Sequence, residues 1–176
     1  ENKYGLKVWM HYFDFEYMSR LKSPWYSGLA QGQGISVLLR AFKETNNNKY
    51  KIAAKETFQS FLYNTNDGGV NYKDSDGDNW IEEYIVFPPT HILNGFIWSL
   101  WGIYDYALFF NDKKVAKQFK NYSNTIIKNL NKYDIGYWSK YEQTKKSLPM
   151  IASEFYHKLH IVQLEIMYDL TGEKIF

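Results

Sequence analysis

The chain has no cysteine at all. That excludes disulfides and any structural zinc site built on thiolates, and it leaves the redox compartment unread. Arginine is nearly absent too: Arg20 and Arg40 stand among 21 basic residues, and the net charge is only +2. No basic stripe runs along the sequence, so nucleic acid is not expected as a partner. A mild basic excess is compatible with an anionic substrate without requiring one. No apolar run approaches the ~20 residues of a membrane span, so no membrane span is expected in this chain. The sequence opens on Glu1 rather than Met and stops at Phe176 where a helix is starting; we read it as one domain, 1–176, and a piece of a longer protein.

What the chain does have is rings. Aromatics make up 19% of its 176 residues, with 16 Tyr, 12 Phe and 6 Trp. So much ring surface fits either a wide aromatic cleft of the kind carbohydrates occupy or a core that uses rings in place of leucine. Hydrophobic residues at 45% and charged residues at 23% are ordinary for one globular domain.

Apolar residues recur at helical spacing over 24–45, 50–63, 91–110, 112–130 and 150–170. Polar turns close three of these runs: Thr45-Asn46-Asn47-Asn48, Asn111-Asp112-Lys113 and Thr171-Gly172-Glu173. Arg40, Tyr104 and Tyr168 precede those turns at intervals of 64 residues. Asp67-Gly68-Gly69 and Asp134-Ile135-Gly136 resemble one another in the two long connections. The unit is therefore helix, short turn, helix, long loop. The fold class predicted is all-α, an incomplete α/α toroid of helix hairpins in which each pair buries its apolar face against the next. In the first long loop, 68–72 and 80–87 predict a small β-hairpin, and Thr90 is placed to cap the helix that follows.

Two strings carry the candidate chemistry: Glu82-Glu83-Tyr84 and Tyr156-His157-Lys158-Leu159-His160. Each puts a tyrosine beside groups that can tune its proton, and Tyr141 lies between them in an aromatic, turn-rich loop. Glu82 and Glu83 on one strand point to opposite faces, so they do not make a glycosidase acid pair, whereas Glu83 can tune Tyr84. His157 and His160 share a helix face, but no third metal ligand is evident, and hydrogen bonding is the simpler role. Asp74-Ser75-Asp76-Gly77-Asp78 has Gly at the fourth position, not the sixth, and reads as a tight turn ahead of a calcium loop. Gly28-Leu29-Ala30-Gln31-Gly32-Gln33-Gly34 lacks the strand and lysine of a phosphate loop; its small residues suit close packing, with Gln31 and Gln33 as sugar ligands if they face the cleft.

With those strings in order and at consistent spacing, the chain resembles the C-terminal domain of the D-glucuronyl C5-epimerases. The resemblance runs from about Trp25 to Phe176. It rests on Trp25-Tyr26-Ser27-Gly28-Leu29-Ala30-Gln31-Gly32-Gln33, Trp80-Ile81-Glu82-Glu83-Tyr84, Leu93-Asn94-Gly95-Phe96, Tyr133-Asp134-Ile135-Gly136 and the Tyr156–Leu164 stretch. It implies an α/α-barrel domain that acts on uronic acids in a polysaccharide such as a heparan-sulfate-like glycan. It places catalytic residues at Tyr84, Tyr141 and Tyr156 with Glu83 beside the first, and Asn94 near the sugar. Tyr26, Gln31, Gln33, His157, His160, Lys145 and Lys146 complete the expected substrate contacts. No metal and no other cofactor is needed. A homodimer is kept as an expectation of assembly. One departure stands out: the family's arginine after the second tyrosine, which holds the uronate carboxylate, is Thr144 here, with Lys145 and Lys146 next to it. Lysine is a poorer bidentate partner for a carboxylate. A uronate lyase sharing the first proton abstraction, and a non-catalytic glycan-binding module, are the competing readings.

Overall fold

The structure is a computed structural model that describes residues 1–17, 20–144 and 150–176. It is mostly helical, as the periodicity requires. Five α-helices are described: α1 (Gly28–Thr45), α2 (Asn48–Phe58), α3 (Leu93–Phe110), α4 (Lys113–Asn129) and α5 (Glu154–Thr171). Two short antiparallel pairs join them, β1 (Phe15–Glu16) with β2 (Arg20–Leu21), and β3 (Asn71–Lys73) with β4 (Asn79–Ile81).

Side-chain caps set most helix starts. Ser27 accepts from the Ala30 N–H at 3.1 Å, Asn47 from Lys49 at 3.1 Å, and Asp112 from Lys114 and Val115 at 2.9 and 3.1 Å. Each satisfies amides that have no partner within the first turn. Asn46, Asn111 and Gly172 end α1, α3 and α5 in the left-handed conformation, at φ 51, 50 and 73°. Those are the polar turns of the sequence, and Asn and Gly are the residues that tolerate that conformation. Thr90 is not a cap: α3 begins three residues later behind Ile92, with no side-chain cap.

The repeat is approximate. α1, α3 and α5 are each 18 residues long, but their starts at 28, 93 and 154 lie 65 and then 61 residues apart. The second connection is shorter, so Arg40, Tyr104 and Tyr168 do not hold strictly equivalent places. Arg40 instead meets Asp105 across the α1–α3 interface at 2.8 Å.

α3 is apolar on nearly every side because it packs against α1, α4 and α5. Ile35, Leu39, Phe61, Phe96, Leu100 and Ile126 form the centre of the core. Glycines let α1 and α3 touch backbone to backbone. A Cβ on Gly102 would lie 2.3 Å from the Gly32 carbonyl oxygen, and one on Gly32 would lie 2.6 Å from the Ser99 Cα. The small residues of the Gly28–Gly34 string thus serve packing. Gly102→Ala is expected to destabilise the chain by about 3 kcal/mol, because backbone cannot move aside as a side chain can. A melting temperature unchanged from the parent would contradict this.

The β3–β4 hairpin is shorter than predicted, and its tip is a turn closed by Asp74 and tied to α4 through Asp78, which accepts from Lys128 and Asn129 at 3.0 and 3.1 Å. Asp74 accepts from the amides of Asp76 and Asp78 at 2.9 Å each and from the Trp80 indole at 2.8 Å. Glu82 and Glu83 lie beyond β4, so strand alternation is not what separates them. The β1–β2 hairpin is not foreseen by the helical pattern at all.

Candidate active site

The link from β4 to α3 is organised by Glu82. Its carboxylate accepts from the Thr90 and His91 amides at 3.2 and 3.1 Å, and His91 Nδ1 lies 2.5 Å away. Its backbone takes the Gly28 amide at 2.9 Å and gives its own to Val70 at 2.9 Å. His91, at φ 49°, stacks on Trp80 at 4.1 Å, and the Tyr133 hydroxyl donates to its carbonyl at 2.5 Å. One buried acid therefore fixes both ends of the loop that carries Tyr84.

The α4–α5 connection is tied to the same place. Leu93 donates to the Tyr141 carbonyl at 3.3 Å, Gln143 to the Thr90 carbonyl at 2.9 Å, and Tyr141 to the Met150 carbonyl at 2.8 Å. Ser153 then caps α5, with the Tyr156 amide 3.4 Å from its hydroxyl. Three segments far apart in sequence converge as a result.

Tyr84, Tyr141 and Tyr156 line one cavity of about 330 Å³. Tyr141 and Tyr156 touch with ring centroids 4.7 Å apart. Tyr84 packs against Tyr17 at 4.5 Å, Phe15 at 5.4 Å and Trp25 at 5.8 Å. Phe15, Tyr17, Met150, Ile151 and Ser153 complete the wall. Phe15 and Tyr17 are the residues that the sequence reading missed. Neither carries a periodic signal, because the strand that holds Phe15 is only two residues long.

Glu83 sits beneath this cluster, only 8% exposed, against Gly95. A Cβ there would fall 2.0 Å from Glu83 Oε2, so glycine is what gives the carboxylate its place. Burial pushes the Glu83 carboxyl up to about 7, with the Tyr84 hydroxyl pulling the other way and Glu82 adding to the rise. Tyr84 is raised above the usual phenol range by burial and then by Glu83. Tyr141 is raised further, by burial and then by Glu83, Tyr84 and Tyr156. These phenols hold their protons, and Glu83 is the group that ionises near neutrality.

That shift makes a stability prediction. In the folded chain Glu83 keeps its proton until about pH 7, while unfolded it loses it near the ordinary 4.5. Folding stability is therefore lost as pH rises from about 4.5 to 7 and stays lost above. Glu83→Gln is expected to stabilise the chain at pH 8 by on the order of 2–3 kcal/mol and to change little at pH 4. Denaturant midpoints at the two pH values measure it; a gain larger at pH 4 would contradict it.

Other expected contacts fall elsewhere. Gln31 is wholly buried and spent on backbone: its oxygen takes the Trp9 amide at 2.7 Å, and its nitrogen donates to the Trp9 and Ser27 carbonyls at 3.1 and 2.8 Å. At 0% exposure it presents no atom to a sugar. Gln33 donates to the Trp98 carbonyl at 3.3 Å, across the α1–α3 interface. Tyr26 lines a separate cavity beside Asn2 and Tyr4. His157 and His160 turn away from the tyrosines to Ser139, at 3.0 and 2.8 Å. Asn94 is buried on the first turn of α3, beside Gly95, and its backbone carbonyl accepts from Gln163 at 3.0 Å. Lys145 and Lys146 lie outside the described residues. Among the described residues, no cluster of metal-binding side chains occurs, and no helix is long and apolar enough to cross a membrane.

A helical-hairpin domain with several phenols around one buried carboxylate is equipped for proton transfer. The chain belongs to the family described as D-glucuronyl C5-epimerase C-terminus, which matches residues 2–176. It is similar to the D-glucuronyl C5-epimerase of Caenorhabditis elegans, with 36% identity over 170 residues, covering 88% of this chain and 27% of that protein. It is also similar to the uncharacterized protein MJ1128 of Methanocaldococcus jannaschii, with 27% identity over 173 residues, covering 96% of this chain and 54% of that protein. The chain thus spans about a quarter and about half of the length of these relatives.

Proposed function

We propose that the chain is the catalytic part of an epimerase that inverts C5 of D-glucuronate residues within a polysaccharide. The observation that carries this reading is the meeting of Tyr84, Tyr141 and Tyr156 in one cavity over the buried Glu83. Inversion needs a proton taken from one face of C5 and another delivered to the opposite face. Ionised Glu83 draws the hydroxyl proton of Tyr84 while the Tyr84 oxygen takes the proton from C5. The C–H electron pair delocalises onto the uronate carboxylate. Tyr156 then donates its proton to the other face of C5. Tyr141, which touches Tyr156 and neighbours Tyr84, returns a proton from the Glu83 side and resets the site. Each step moves a proton between oxygens or between oxygen and carbon, and none calls on a cofactor.

The uronate carboxylate has to be neutralised as the C5 anion forms. Thr144, in the place of the family's arginine, hydrogen-bonds Glu142 instead. Lys145 and Lys146 follow directly and are the nearest basic residues in sequence. The α/α toroid is part of the same proposal: α1 to α5 form its successive hairpins, with the tyrosines at one mouth. The decisive test is solvent deuterium. The full-length protein is expected to place deuterium at C5 of a glucuronate polymer without shortening it. Unsaturated chain ends would indicate a lyase instead. Binding with no exchange would indicate a glycan-binding module.

A further inference from the structure

Tyr17 is a fourth phenol in the wall of the tyrosine cavity, and the proton circuit of Glu83, Tyr84, Tyr141 and Tyr156 does not use it. It follows directly on the two-residue strand β1. Its ring lies nearly parallel to that of Phe15, with centroids 6.4 Å apart and 11° between the planes, and it packs on Tyr84 at 4.5 Å. Its hydroxyl is buried and has no hydrogen-bond partner among the described residues. A buried hydroxyl left unpaired is unfavourable, whereas a phenylalanine would pack there as Phe15 does beside it. The ring explains the packing; the hydroxyl calls for a ligand.

Other polar groups in this wall are already engaged. The Tyr84 hydroxyl meets Tyr141 and Glu83, and Ser153 Oγ accepts from the Tyr156 amide to cap α5. Phe15, Met150 and Ile151 make the remaining surface apolar, and no lysine, arginine or histidine lines the cavity among the described residues. Yet the reaction builds negative charge here. When the C5 proton leaves, its electron pair moves into the C5–C6 bond and the uronate carboxylate becomes a doubly negative enediolate. A hydrogen bond to one of those oxygens strengthens as the charge grows, so it stabilises the transition state more than the bound substrate. The family's arginine for this carboxylate is Thr144 in this chain, and Thr144 bonds Glu142. The N-terminus of the 18-residue helix α5 opens on the same cavity through Ser153 and Tyr156, and its dipole favours an anion there.

We propose that Tyr17 is a further catalytic residue, whose hydroxyl donates a hydrogen bond to the uronate carboxylate and to the enediolate formed from it. The proposal rests on the epimerase reading above. Tyr17 keeps its proton throughout, so its role differs from that of the phenols that exchange protons with C5. Its contact with the Tyr84 ring puts this donor beside the group that takes the C5 proton.

The test is Tyr17→Phe in the full-length protein, assayed on a polymer alternating glucuronate with N-acetylglucosamine. Deuterium uptake at C5 and inversion at C5 are followed together. Both are expected to fall by on the order of 10²-fold in kcat, with little change in KM, as when one oxyanion donor is removed. The ratio of exchange to inversion should stay that of the parent, because a missing proton donor shifts that ratio and a missing hydrogen bond does not. The melting temperature should equal the parent's or exceed it, since the ring stays and only an unpaired buried hydroxyl goes. A kcat equal to the parent's, a rise in KM alone, a shifted ratio, or a loss matched by a lower melting temperature overturns the donor role and leaves the epimerase reading standing. A parent protein that places no deuterium at C5 overturns the epimerase reading itself, and the donor role with it.

Discussion

Tyr84→Phe and Tyr156→Phe are each expected to lower epimerisation by on the order of 10²-fold or more, the usual range for a single acid–base group. The replacement fills the same space and removes only the hydroxyl. The ring of Tyr84 keeps its contacts with Tyr17, Phe15 and Trp25, and that of Tyr156 keeps its contact with Tyr141. Folding should be little changed in both. The two variants should differ in kind as well as in rate. With one phenol per face, a variant that lacks the donor can still remove the C5 proton and take one back on the same face. It would then exchange with solvent while failing to invert. Exchange and inversion lost in equal measure by both variants would favour one swinging base. Turnover unchanged in both would remove the tyrosines from the chemistry.

Much of this site is legible in the sequence because it is written locally. Asn46, Asn47, Asn111, Asp112 and Gly172 lie in the polar turns that separate the helices, whereas Ser27 and Ser153 cap helices a few residues inside the runs that periodicity alone starts at 24 and 150. Those signals place Tyr84, Tyr141 and Tyr156 in long connections or at a helix entrance. Connections are the parts of a helical-hairpin chain that are free to converge. What is not legible depends on long-range pairing. Gln31 is polar, and one helix face says nothing of the N-terminal segment whose Trp9 backbone occupies its amide. The hairpin of Phe15 and Tyr17 has two-residue strands, too short for periodicity to stand out. His157 and Tyr156 are neighbours in sequence, yet successive helical residues point about 100° apart. That rotation is why the histidines serve a different cavity from the tyrosine beside them.

Glu82 and Glu83 show the same division between adjacent residues, and it yields the largest expected effect on stability. Glu82→Ala is expected to cost about 4 kcal/mol. The carboxylate is 1% exposed and is the acceptor for the amides of Thr90 and His91 as well as the partner of the His91 ring. Removing it leaves buried donors without an acceptor, which costs far more than the net value of the bonds themselves. It also frees the loop that holds Tyr84, so activity should fall through misplacement rather than through lost chemistry. Glu83 is expected to behave oppositely. Its Oε2 has no hydrogen-bond partner among the described residues, and burial raises its pKa by more than the Tyr84 hydroxyl lowers it. Replacing it by glutamine should stabilise the fold above neutral pH while removing the proton acceptor behind Tyr84. Two neighbouring acids would thus separate cleanly, one maintaining the loop and one ionising for the reaction at a cost to stability. Denaturant unfolding of Glu82→Ala and Glu83→Gln at pH 8 measures both signs at once. A Glu82→Ala midpoint equal to that of the parent would show that the loop is held by something other than this carboxylate.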